Sequence, residues 1–473
     1  MTFDELFQEG LSAYQAGQFE QAQQAFHAAL RSNNGKPMAQ ATCHFFLGRV
    51  YVDLEMFKDA IFAYQNALTH YQAIEGTKLE QADCMRNLGS AFGRLEDFTS
   101  AESFVRDALT LYHGIDGTEL GQAGCHLNLG NVYQLRSDLN GAISSYRKAL
   151  TCFEDSAGSE LDQASCFLNL GIVYRGVGKF KDAETSYREA LTLFNRLPGT
   201  KREQAGCLMN LGVMYWDLGL IADAESAFRV ALARFKSLPR TKREQALCLQ
   251  NLGGVYMDRG LPEAAEKSLR HALTHFQAIE GTERDQADCL SNLGVVLLYR
   301  GQTKSAKTSL QDALARYIGI EGTERGQADC MRNLGIVFWQ RGETTRAETA
   351  FQDALTRYQG IKGTERGQGA CLMNLGVAYM DRGSFADADA VYRESRKLYA
   401  ALGLDHKTKL VDLHVALLRE KQSEATGDPE LLREALTLAV GSFLDADMRR
   451  FQFPTERDRI AWAKHEVAFR AER

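Results

Sequence analysis

The chain has 473 residues, 45% hydrophobic and 25% charged, with 55 Lys and Arg against 61 Asp and Glu for a net charge of −6. That balance supplies material for a sizeable core and excludes a disordered chain, and its slight acidity argues against nucleic acid as a partner, since such proteins carry a basic surplus. No apolar run reaches the roughly 18 residues of a membrane span, so no membrane role is expected.

The amino-terminal MTFDELFQEG carries two early acids and no basic stretch, unlike a secretory signal, so a cytoplasmic protein is expected. Residues 1–34 read as a divergent helical unit around Gly10, Ala22, Phe26 and Ala29. From there the chain repeats. Asn-Leu-Gly begins at Asn87, Asn128, Asn169, Asn210, Asn251, Asn292, Asn333 and Asn374, always 41 residues apart, and Phe46-Leu47-Gly48 stands one period earlier. A fixed period of this length signals stacked supersecondary units. The units fall near 36–76, 77–117, 118–158, 159–199, 200–240, 241–281, 282–322, 323–363 and 364–404, with a degenerate one at 405–446.

The copy from Gln204 to Leu238 shows what a unit is. Cys207, Leu208, Leu211, Gly212 and Tyr215 follow the spacing of one helix face, Gly219 breaks it, and Ala224, Phe228, Ala231, Leu232 and Phe235 form a second such face. No segment alternates with the period of a strand. Pro262 sits at a helix start, where its missing N–H does no harm. Between units runs a Gly-Thr step, as at Gly76-Thr77, Gly281-Thr282 and Gly363-Thr364. Its glycine suits a left-handed helix C-cap. Its threonine suits an N-cap for the next helix, with Glu80, Glu203 and Glu244 placed to complete capping boxes. The fold class is all-α, an α-solenoid of about ten helix–turn–helix repeats spanning 1–446 and predicted to wind as a right-handed superhelix.

Leu208, Leu211, Gly212, Tyr215, Ala224, Phe228 and Ala231 resemble the tetratricopeptide repeat in register, and the alanine after the break recurs from Ala60 to Ala388. The period is 41 rather than 34, similar to the longer-helix branch of kinesin light chains and spindle-orientation adaptors. The resemblance implies a protein-interaction scaffold that takes a peptide or partner protein in a concave groove lined by the first helix of each unit.

Catalytic chemistry has little support. Nine of ten cysteines (43, 84, 125, 166, 207, 248, 289, 330 and 371) occupy one repeat position as small buried residues, and there is no Cys-x-x-Cys. Helices packed roughly 8–10 Å apart hold equivalent cysteines too far from one another for disulfides, which need Cα atoms within about 7 Å. Only Cys152 stands outside the set. His271 and His275 share a helix face without a third ligand nearby, and neither a P-loop nor a nucleophile elbow is present. No enzyme, cofactor or metal site is expected.

The groove positions are the Asn of Asn-Leu-Gly and those just after its glycine. By the resemblance, the ladder Asn87, Asn128, Asn169, Asn210, Asn251, Asn292, Asn333 and Asn374 contacts a ligand backbone, since an amide both donates and accepts. Early units add Arg49, Arg86, Arg94, Asn131, Gln134 and Arg175. Later ones add Met209, Val213, Trp216, Met257, Val295, Leu298, Ile336, Trp339, Met373, Val377 and Met380, an apolar patch of the kind that marks partner sites. Trp216 and Trp339 are the expected anchors. Residues 447–473 read as a capping or docking helix after a Phe-Pro turn. The segment around Phe451, Phe453, Pro454, Arg459 and Trp462 resembles the stretch that joins tetratricopeptide arrays to caspase-like CHAT peptidase domains, which makes a caspase-like peptidase a candidate partner.

Overall fold

The computed structural model describes residues 1–32, 36–154, 156 and 158–450. The tail positions Phe451, Phe453, Pro454, Arg459 and Trp462 lie outside the described residues. Within the described residues the chain forms twenty-two helices and no strand. In sequence they are α1 (Phe3–Gln15), α2 (Phe19–Ser32), α3 (Pro37–Asp53), α4 (Phe57–Gln72), α5 (Lys78–Arg94), α6 (Phe98–His113), α7 (Glu119–Leu135), α8 (Leu139–Glu154), α9 (Glu160–Gly176), α10 (Phe180–Arg196) and α11 (Lys201–Asp217). They continue as α12 (Ile221–Lys236), α13 (Lys242–Asp258), α14 (Pro262–Gln277), α15 (Glu283–Tyr299), α16 (Thr303–Tyr317), α17 (Glu324–Gln340), α18 (Thr344–Gln359), α19 (Glu365–Asp381), α20 (Phe385–Ala401), α21 (Asp405–Thr426) and α22 (Pro429–Arg450).

Two compact units divide the chain, residues 1–214 and 215–473. In the first, α1 to α10 pair as consecutive antiparallel hairpins, and each hairpin packs on the next. In the second the same rule holds from α13 to α22, with odd-numbered helices also touching the next odd-numbered helix. The last helix, α22, runs without a break from Pro429 to Arg450.

What packs each hairpin is the glycine of Leu-Gly. A Cβ added at Gly48 would lie 2.6 Å from the Tyr64 ring, at Gly171 2.5 Å from Tyr187, at Gly294 2.6 Å from Leu310 and at Gly376 2.3 Å from Tyr392. The odd helix therefore meets its partner backbone to side chain. The cysteine column and the alanine column that line the same seam are fully buried.

Two expectations about the linkers are corrected. The Gly of Gly-Thr is left-handed, φ 83° at Gly76 and 75° at Gly363, but it lies beyond the helix end; α4, for instance, is already capped at Ala73. The threonine makes no N-cap. Its ψ is 28° at Thr77, 23° at Thr241 and 12° at Thr364, outside the extended geometry a cap requires, and its hydroxyl donates backwards. Thr77 Oγ1 donates to the carbonyls of Tyr71 (2.6 Å) and Ile74 (2.9 Å), and Gln81 Nε2 donates to Thr77 Oγ1 at 3.2 Å. Thr200 Oγ1 is engaged the same way with Phe194, at 2.5 Å, so neither Glu80, Glu203 nor Glu244 completes a capping box. A capping box does join Thr2 and Glu5 at the start of α1.

Opposite effects are expected from two Gly→Ala substitutions, read by thermal denaturation. Gly376→Ala forces its methyl into the fully buried Tyr392 ring and should cost about 1–3 kcal/mol. Gly206→Ala, inside α11 with nothing within 4 Å, should gain about 0.5–1 kcal/mol from helix propensity.

Candidate binding surface

The odd-numbered helices carry the Asn position in the third turn. The amides do not share one environment. Asn87 Nδ2 donates to the Asp83 carbonyl of its own helix at 2.7 Å. Asn128 Nδ2 reaches the Arg86 carbonyl of the preceding odd helix at 3.4 Å, and Asn169 Nδ2 reaches Asn131 Oδ1 at 3.2 Å. Asn333 is buried and accepts from Arg332 at 3.3 Å. By contrast Asn251, Asn292 and Asn374 have no side-chain hydrogen bond among the described residues, and Asn292 is exposed. Asn210 is half-buried.

The position after the glycine is the open one early in the chain, where Arg49, Ser90 and Asn131 are exposed. Four residues after the glycine, burial varies. Leu298 and Met380 are buried in the stack, against the expectation of groove contacts, because the face carrying them turns toward the neighbouring helices. Met257 is half-buried. Arg86 is drawn into an internal cluster, its Nη2 3.5 Å from Asp83 Oδ1 while Tyr112 Oη donates to the same oxygen at 2.6 Å. Arg175 is half-buried, with its Nε fully covered.

The two tryptophans are held by a device that helix periodicity alone does not reveal. Trp216 Nε1 donates to Asp258 Oδ2 at 2.5 Å, and Trp339 Nε1 donates to Asp381 Oδ2 at 2.7 Å, each partner 42 residues on. The Trp216 ring lies on Gly254, where an added Cβ would come within 2.1 Å of it. At the register of Gly254 the later copy has Val377, and Trp339 is left 38% exposed. The signal available in the sequence was the Trp–Asp spacing of one period plus one, which puts both on facing turns. Val295 and Tyr299 on α15 are 39% and 48% exposed, and α15 packs against α17, the helix that carries Trp339.

The periodic cysteines are inert by burial, which pushes the thiols of Cys43, Cys207 and Cys371 up to about 12 and that of Cys330 to about 11. Among the described residues no group of three or more His, Cys, Asp or Glu could hold a metal ion, and no helix is long and apolar enough to cross a membrane.

Labelling and substitution test these environments in the native protein. Iodoacetamide at pH 8 should modify half-buried Cys152 first and the other nine cysteines only on unfolding, as mass spectrometry of the labelled chain will show. Gly254→Val should displace the Trp216 ring, giving a red-shifted tryptophan emission in a Trp339→Phe, Trp462→Phe background and a loss of about 1–3 kcal/mol.

Residues 46–113, 122–196, 164–237, 245–319 and 326–401, more than half of the chain, match a family profile described as tetratricopeptide repeat. A second profile of the same description matches 7–70 and 291–360. Among solved structures, the apo form of RapI is 15% identical with a TM-score of 0.60, over 77% of this chain and 98% of that chain. A Rap protein complexed with Competence and Sporulation Factor is 16% identical with a TM-score of 0.50, over 73% and 96%. BtubC (BKLC) from P. vanneervenii is 24% identical with a TM-score of 0.43, over 48% and 92%. At identities this low, the likeness to the two Rap structures speaks for the fold alone. A comparison with curated proteins gave no match.

Proposed function

The chain belongs to the tetratricopeptide repeat family, and from that premise we propose that it is a non-enzymatic interaction scaffold holding a polypeptide against its odd-numbered helices. The observation that carries the reading is on α15 and α17. Asn292, Val295 and Tyr299 recur at i, i+3 and i+7, all exposed, on α15, which packs against α17, the helix that carries the exposed Trp339. A free amide with aromatic and branched side chains on one helix face is what main-chain contact plus apolar side-chain pockets require.

The ladder is thereby narrowed. Asn251, Asn292 and Asn374 have amides to offer a ligand, whereas Asn87, Asn128, Asn169 and Asn333 spend theirs within the stack. Leu298 and Met380 are left out by burial. Trp339 remains an anchor, its indole edge fixed by Asp381 and its ring face open.

Peptides selected from a random display library against the full chain provide the probe. Asn292→Ala combined with Trp339→Ala should weaken the selected peptides about tenfold or more, while circular dichroism and the melting temperature stay close to those of the parent. Unchanged peptide affinity in that variant overturns the reading.

A further inference from the structure

The first-turn position two residues after the linker position (Thr in most repeats, Ser159 and Asp405 in two) is Leu79, Leu120 and Leu161 in early repeats. In later ones it is Arg202, Arg243, Arg284, Arg325, Arg366 and Lys407, each 41 residues from the last. Arg243 has a partner, Asp285 Oδ2 at 3.0 Å, 42 residues on. The same step from Arg284 reaches Gly326, from Arg325 Gly367 and from Arg366 Thr408, so the compensating carboxylate is gone. Among the described residues Arg325, Arg366 and Lys407 form no ion pair.

These cations converge. Arg325, Arg332, Arg366 and Lys407 line one cavity of about 290 Å³ between the starts of α17, α19 and α21 and the ends of α18 and α20. Its single carboxylate, Asp329, already accepts from Tyr358 Oη at 2.6 Å and faces Arg332 Nη2 at 3.5 Å. In the next repeat the position of Asp288 and Asp329 is Ala370, which removes a second acid from the wall. Arg332 Nε is buried without a hydrogen-bond partner. The start of α19 adds its first-turn N–H groups, because Thr364 at the cavity edge turns its hydroxyl back to the Tyr358 carbonyl and leaves them without a side-chain cap. Burial, with Arg366 and Arg332 alongside, holds Lys407 below the usual ammonium range.

We propose that this cavity is an oxyanion site whose ligand is a phosphate monoester, held by Arg325, Arg332, Arg366, Lys407 and the amino end of α19. Four cations against one engaged carboxylate leave an excess that a dianion relieves better than a single carboxylate does. Guanidinium forks and backbone N–H groups match the tetrahedral oxygens of phosphate. The site does not depend on the polypeptide groove and would stand if that reading failed.

Titration calorimetry on the full chain, in chloride buffer at fixed ionic strength to hold screening constant, tests it with inorganic phosphate, acetate, and a phosphoserine peptide beside its unphosphorylated form. Phosphate should bind and acetate should not. Arg366→Gln with Lys407→Gln should weaken phosphate by about tenfold or more. Ala370→Asp, which restores the acid carried by neighbouring repeats that fold with it, should do the same. A phosphopeptide binding tighter than free phosphate assigns the phosphoryl group to a modified polypeptide; equal affinity assigns it to a small phosphate. No phosphate binding, equal acetate binding, or phosphate binding unaffected in both folded variants overturns the site.

Discussion

The close approach at the Leu-Gly glycine is the contact on which the rest of the structure depends. At Gly48, Gly171, Gly294 and Gly376 a ring or branched side chain of the partner helix occupies the volume a Cβ would take. Such a seat fixes both the distance between the two helices and their rotation, because only the glycine position lets the partner side chain approach the backbone this closely. The neighbouring seam positions are then restricted to small residues, which is why alanine and cysteine form fully buried columns. With the frame fixed by a few small positions in each repeat, the remaining positions are free to vary.

The linker obeys the same economy. Thr77, Thr241 and Thr364 hold the end of one hairpin by donating to its last carbonyls, and a glutamine four residues on, Gln81, Gln245 or Gln368, closes the knot. Carbonyls at the helix end are satisfied in exchange for an amino end without a side-chain cap. Repeated in each unit, this leaves helix starts without a side-chain cap, where the electrostatics favour anions. In the repeats with leucine at the adjoining position that tendency stays unexploited.

Much of this was legible in the sequence because the repeat reports itself. The 41-residue step, the helix faces and the buried cysteine column need only periodicity and side-chain size. What was not legible depends on angles smaller than a turn. Met257, Leu298 and Met380 hold one register position, yet Met257 is half-buried and the other two are buried. Whether Trp216 lies flat depends on Gly254 rather than on Trp216 itself. The linker threonines mislead because the Thr-x-x-Glu pattern is the same whether the hydroxyl points forward to an amide or back to a carbonyl. Backbone ψ decides, and the pattern does not encode it.

Charge in a repeat stack is governed by the residue one period away rather than by neighbours in sequence. Arg243 and Arg325 occupy equivalent positions on equivalent helices, and a composition count cannot tell them apart. Their difference is the residue 42 places on, Asp285 for one and Gly367 for the other. The paired arginine ties two repeats together at the surface, where such a bond contributes little to stability. The unpaired one keeps its charge available to a ligand. Gly326 and Gly367 also seat the rings of Tyr317 and Tyr358, with an added Cβ only 2.7 Å away in each case. The difference between Asp285 and Gly367, together with that between Phe276 and Tyr358 nine residues earlier in each repeat, seats a tyrosine in the wall and leaves the cation beside it without a carboxylate partner, while the frame is kept.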